Sequence, residues 1–305
     1  EAFNRARQFL KTQARPLDQA MFEFRFEGGT ADEVLAALQP FQNEDGGFGH
    51  ALASDRRAPS SSALETTRGL KILREVGCTA EHPMVQQAIA YLQATFDPTT
   101  KVWRPVAPDT NDYPHAPWWH DEDGSLARTF TNFLIMPRIE LVALLYSYRA
   151  LVPAEWLDDL AETMVNDLEK LNKLDVGMGD ETVSCLDFVE TAGVPEAIRQ
   201  KLLKRIRETV PGLVSCDPAA WGDYVPTPLK LAPLPTSPTA DLVGEAVQVH
   251  LDYLIDQQAA DGAWEPNWSW FGSYPEVWEQ ARAEWRGYLT VDALTTLRAH
   301  GRLEV

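Results

Sequence analysis

The sequence predicts an all-α protein built from repeated antiparallel helix hairpins, and three observations carry that reading. First, the stretch QNEDGGFGH at Gln42 to His50 returns near the other end as QQAADGAW, with Gln258, Asp261, Gly262 and Trp264 in matching order. Second, weaker copies lie between them, FDPTTKVW, LDVGMG and CDPAAW, so that Asp45, Asp97, Asp175, Asp217 and Asp261 recur along the chain as acidic anchors of a repeat. Third, each copy closes an apolar run of helical period, and no run reads as a strand. The turn has a local cause. A helix ends with free carbonyls, and Asp followed by Gly supplies side-chain hydrogen bonds and a tolerance for positive φ, so the chain can reverse and an aromatic ring can fold back over the turn. These Gln, Asp, Gly and Trp residues are expected to staple repeats together and to do no chemistry.

In order, Ala2 to Ala14 forms a helix with Phe3, Ala6, Phe9 and Leu10 on one face, stopped by Pro16. Leu17 to Phe26 suits a short helix ended by Gly28 and Gly29. TADE at Thr30 to Glu33 is a capping box opening a helix that runs to Phe41. Ser61 to Val76 returns, with Leu64, Leu70, Ile72 and Leu73 as core. Pro83 to Thr95 pairs with Leu126 to Leu151, in which Pro137 predicts a kink or a break. Ala154 to Leu171 and Glu181 to Thr191 make a further hairpin. Pro195 to Val210 is a basic amphipathic helix with its charged face in water. Residues 221–240 form a proline-rich extended strap, Asp241 caps a helix to Gln258, and after an aromatic segment a closing helix spans Leu289 to His300. The whole, 1–305, is expected to form one domain of five or six hairpins, stacked into an open solenoid or closed into a ring.

Composition narrows the function classes. The chain of 305 residues carries a net charge of -18, which argues against nucleic acid, since a phosphate backbone needs a basic face, and against anionic membranes. No apolar run is long enough to span a bilayer. Cys78, Cys185 and Cys216 are scattered without a CxxC pair, which fits a reducing, cytoplasmic setting better than a disulfide scaffold. The expected partner is a small molecule, with no cofactor called for and the oligomeric state open.

The irregularity in the repeat is the loop 102–124, VWRPVAPDTNDYPHAPWWHDEDG, which stretches one interval well beyond the others. Long insertions in compact repeats usually carry function. Asp112, His115, Trp118, Trp119, His120, Asp121, Glu122 and Asp123 crowd within twelve residues. Carboxyls beside imidazoles and indoles make an acid/base site, because burial raises a carboxyl pKa and rings can face a cation. Asp121, Asp123, His115 and His120 are the candidates for catalysis, with Asp121 the leading proton donor; Asp112, Trp118 and Trp119 are the candidates for binding. The same groups allow two other readings: a divalent metal on His115, His120 and Asp121, or a packed aromatic lid with its charges outward. A second aromatic group after the last turn contributes Trp268 and Trp270 as further binding candidates, or forms a hydrophobic seam.

QxxDGxW at Gln258 to Trp264 and QNEDGGFG at Gln42 to Gly49 resemble the QW and GGFG-type repeats of the squalene-hopene cyclase and protein prenyltransferase β-subunit superfamily. The resemblance implies an (α/α)6 toroid, here with five or six hairpins, whose inner helices line a central cavity for an isoprenoid or other apolar substrate. The superfamily's acid motif, DxDD, is absent; the nearest run, DEDG at Asp121 to Gly124, keeps two of its acidic positions. The zinc ligand pattern places an aspartate two residues before a cysteine, whereas here Cys185 precedes Asp187. A terpene cyclase-like or prenyltransferase-like protein lacking both motifs is therefore one expectation. The others are a toroid that binds or processes carbohydrate, with an open polar cleft, and a non-catalytic scaffold.

Overall fold

The computed structural model describes residues 1–303, whose regular elements are all helices, with only isolated bridges and no strand among them. The α-helices are α1 (Ala2–Gln13), α2 (Pro16–Phe22), α3 (Ala31–Leu38), α4 (Ala63–Glu75), α5 (Pro83–Thr95), α6 (Ser125–Thr129), α7 (Arg138–Ser147), α8 (Ala154–Lys170), α9 (Asp180–Glu190), α10 (Glu196–Leu213), α11 (Pro228–Leu231), α12 (Ala240–Val243), α13 (Ala246–Asp256) and α14 (Pro275–Ala299). The described residues fall into two compact units: one of residues 1–37, 177–179 and 210–303, the other of 38–176 and 180–209. No helix among them is long and apolar enough to cross a membrane.

In the first unit, α1 buries Ala6, Phe9 and Leu10 and packs against α14 and α2. Phe3, Phe22 and Phe26 form a ring cluster beside it, where α2 runs on into a π-helical turn at Glu23–Glu27. The capping box forms as read: Thr30 N–H donates to Glu33 Oε2 at 2.7 Å and Glu33 N–H to Thr30 Oγ1 at 3.3 Å. Three expectations in this unit change. The helix assigned from Asp241 is interrupted at Gly244, which separates α12 from α13. The strap winds into α11, burying Leu229 and Leu231. The closing helix begins at Pro275, because Trp278, Trp285 and Tyr288 lie at helical spacing, and aromatic content had concealed that period.

In the second unit, α7 is buried over most of its circumference, with Arg138, Ile139 and every residue from Leu141 to Tyr146 inside, as a helix surrounded by others must be. It packs against α4, α8 and α9. Pro137 precedes it as its N-cap, so the long helix expected over 126–151 is instead α6, a 3-10 turn at Thr131–Phe133, α7 and a 3-10 turn at Arg149–Leu151. The α10 periodicity holds, burying Leu202 and Ile206 and exposing Lys201 and Lys204.

The two outer turn motifs solve one problem twice. Gln42 Nε2 donates to Gly46 O and to Met84 O at the start of α5; Gln258 Nε2 donates to Gly262 O and to Ala2 O at the start of α1. Asp45 accepts from Gly47 N–H and Asp261 from Ala263 N–H. Phe48 N–H donates to Thr66 in α4, and Trp264 N–H to Thr290 in α14. Gly46 (φ 88°) and Gly262 (φ 99°) sit where a Cβ would lie 2.3 Å from the backbone of Gln87 and of Arg5 respectively, so a left-handed residue without a side chain is required. The motif is a staple that fastens a turn to the first turn of another helix. Asp97 and Asp217 keep the same local bond, to Thr99 N–H and Ala219 N–H. Asp175 departs from it, accepting from the amide and hydroxyl of Thr182 in α9.

Candidate functional site

The 102–124 loop is fastened along its length. Trp103 is buried, its Nε1–H donating to Leu92 O at 2.7 Å. Leu64 N–H donates to Pro105 O, Arg57 N–H to Pro114 O and Ala116 N–H to Asp55 O. Beneath it lies Arg56, a fully buried guanidinium that donates to Glu65, Ser60 and Thr110 Oγ1, the last at 2.9 Å. Glu65 is equally buried; it accepts from Ser62 Oγ, and Ser62 caps α4 by accepting from Glu65 N–H. Burial pushes the Glu65 carboxyl up to about 7, with Arg56 and Ser62 opposing. Sequence reading passed over this pair. Its signal was Ser62-x-x-Glu65, a second capping box, preceded by an arginine pair in a loop flanked by apolar residues.

On this base the loop ends in an open hollow of about 450 Å³ lined by Pro117, Trp118, His120, Glu122, Asp123, Ser125, Arg128 and Thr129. The turn that shapes it has Asp123 (φ 51°) and Gly124 (φ 72°) in the left-handed region, a conformation that a short acidic side chain and a glycine both tolerate. Arg128 Nη1 donates to Asp123 O at 2.7 Å, tying α6 to the turn. Ser125, Arg128 and Thr129 also line the hollow and carry no signal in the sequence, where 126–151 reads as one long helix.

The structure gathers some of the expected residues and disperses others. Trp118, His120 and Asp123 line the hollow. His115 is buried behind His120, its Nε2 3.0 Å from His120 Nδ1 and its Nδ1 2.6 Å from Tyr113 O. Burial holds the His115 imidazole below its ordinary pKa, and His120 and Arg56 push it the same way, against backbone hydrogen bonds. Trp119 is buried and stacks on Phe130 at 5.0 Å, making it the support of the hollow. Asp121 is engaged through both carboxylate oxygens, one with the Arg104 guanidinium and one accepting from Leu126 N–H at 3.2 Å. Its backbone is clasped by the Asn111 amide. Asp112 is exposed at the end of a 3-10 turn, Pro108–Asp112. Trp268 and Trp270 belong to the first unit: Trp268 packs edge-on against Tyr224 and Trp285, and Trp270 is buried against Trp278. Among the described residues no three metal-ligating side chains come together.

The fold and site define a class in physical terms: an all-helical hairpin protein with stapled turns and a polar hollow on one long inserted loop. No protein-family model, curated protein or solved structure matches the chain.

Proposed function

We propose that the hollow binds carbohydrate, as the ligand site of a carbohydrate-binding or carbohydrate-processing protein. The observation that carries this reading is the lining itself: one partly exposed indole, Trp118, set among two carboxylates, an imidazole, a guanidinium and two hydroxyls. A sugar ring offers an apolar face for an indole and a rim of hydroxyls that both donate and accept. An isoprenoid chain leaves most of these polar groups without partners, at a desolvation cost. Action on an isoprenoid, as a terpene cyclase-like or prenyltransferase-like protein, is the second reading, supported by the Gln42 to Gly49 and Gln258 to Trp264 motifs. Closure of the hairpins into an (α/α) toroid is part of the same proposal; what supports it is that α1 supplies the partner for the last turn motif and packs on α14. The free thiols of Cys78, Cys185 and Cys216 support a cytoplasmic setting.

Equilibrium binding of fluorescent oligosaccharides and of prenyl diphosphates to the wild type and to Trp118→Ala tests the reading. Saturable oligosaccharide binding, weakened about tenfold by Trp118→Ala, is expected, equivalent to about 1.4 kcal/mol. Saturable binding of prenyl diphosphates alone would transfer the assignment to the second reading, and binding of neither would leave a scaffold.

A further inference from the structure

We infer that His115 fixes His120 in one tautomer, with the proton on Nδ1, so that His120 Nε2 is the proton acceptor of the hollow. The chain of bonds starts at a group with no ambiguity. A backbone carbonyl only accepts, so the 2.6 Å contact between His115 Nδ1 and Tyr113 O places a proton on that nitrogen. Burial favours an uncharged His115 ring, and with its one proton on Nδ1 the ring bears a lone pair on Nε2. That lone pair faces His120 Nδ1 at 3.0 Å and requires a hydrogen there. The ring planes agree within 6° while their centroids stand 5.2 Å apart. A centroid separation that exceeds the nitrogen contact by about one ring's width is the geometry of two parallel rings meeting edge to edge, the arrangement of an N–H···N hydrogen bond. A neutral His120 with its proton on Nδ1 carries a lone pair on Nε2, the nitrogen turned away from the His115 contact. His120 lines the hollow with Glu122, Asp123 and Arg128, so the unspent acceptor belongs to the ligand side.

Second-partner control of an imidazole is a general device: the hydrogen bond at one nitrogen decides what the other can do. Here His115 is the positioning residue and His120 the group that meets the ligand. The inference rests on the hollow as a ligand site and adds to it a base for a ligand hydroxyl, which donates to Nε2.

The tautomers are read directly from long-range nitrogen-proton correlation spectra of the whole protein labelled with ¹⁵N-histidine, at a pH where both rings are neutral, with His115→Phe, His115→Gln and His120→Gln for assignment. Expected in the wild type is a protonated Nδ1 in both rings and, for His120, an Nε2 at the far-downfield position of an unprotonated nitrogen. In either His115 variant, His120 is expected to revert to the Nε2–H form, while the other histidine signals report an intact fold. An Nε2–H tautomer of His120 in the wild type would overturn the inference, as would a His120 spectrum unmoved by both His115 substitutions. This measurement needs no ligand, so the expected spectrum with no oligosaccharide binding would remove the carbohydrate reading and leave the acceptor standing. If oligosaccharides do bind, His120→Gln should weaken them about tenfold; unchanged affinity would remove His120 as the acceptor while the carbohydrate reading survives.

Discussion

Arg56 and Glu65 set the terms at the scale of single residues, because both are wholly buried and each is the other's counter-charge. Glu65→Ala leaves the buried guanidinium with only Asp109, 3.6 Å away, and should cost about 3–5 kcal/mol; Arg56→Met should cost less, since a carboxyl already raised to about 7 can stay protonated, and replacing both with apolar residues should cost least. Urea unfolding of the two single variants and the double variant measures that difference. His250 makes a prediction of another kind. Its Nδ1 accepts from Leu229 N–H, Trp221 and Tyr253 pack around it, and burial pushes its pKa down to about 4. Between about pH 6.5 and 4 the unfolded chain therefore holds a proton on this ring that the folded chain refuses. Its contribution is full above pH 6.5 and is lost as the pH falls toward 4, to a total of about 3 kcal/mol. His250→Asn retains an acceptor without the titration, and its stability should fall less steeply than the wild type's over that window. Asp121 joins the residues whose role is visible in their bonds. Asp121→Ala loses an ion pair and the acceptor for Leu126 N–H, and should lower stability by about 1–2 kcal/mol in thermal unfolding.

Elements show which parts of the sequence speak plainly. The Gln258 staple should be worth about 1–2 kcal/mol for its bonds to Ala2 O and Gly262 O and the one its Oε1 accepts from Arg5, and Gln258→Ala should lose backbone amide protection first in α1, as hydrogen exchange would record. The helices with a clean apolar stripe, such as α1, α5 and α10, were legible because one face is buried and the other wet. α7 was legible as helix but not as the centre of its unit, since a fully buried helix has no stripe to read. The breaks were harder. Pro137 announced one, but the interruption at Gly244 comes from a single glycine with φ 51° inside a helical pattern, which composition alone leaves ambiguous. The start of α14 was concealed because tryptophans suit a helix face and an irregular aromatic loop equally. At the site, the crowd of side chains at 112–123 was visible as composition. Which of them share a hollow depended on a left-handed turn at Asp123 and Gly124, signalled only as one more Asp-Gly pair, and on the bonds that hold Asp121 to Arg104, which have no linear signature.

For the molecule as a whole, the net charge of -18 is a distributed force opposing compactness. Screening shortens its reach to about 8 Å at physiological ionic strength, so the melting temperature should rise between low and physiological salt; a flat or falling profile would mean that local ion pairs such as Lys71 with Glu140 and Asp187 outweigh the repulsion. The two outer staples also differ in a way that their matching bonds conceal. Gln42 reaches Met84, 42 positions on, while Gln258 reaches back 256 positions to Ala2. Chemically equal contacts are thus unequal in time: bringing the distant pair together costs roughly 1.5 kcal/mol more in loop-closure entropy, and long separations slow assembly. The near clasp can snap shut while the chain is still loose, whereas the far one acts as a late latch, leaving Phe9 and Leu10 of α1 without their cover until the chain has almost finished finding itself.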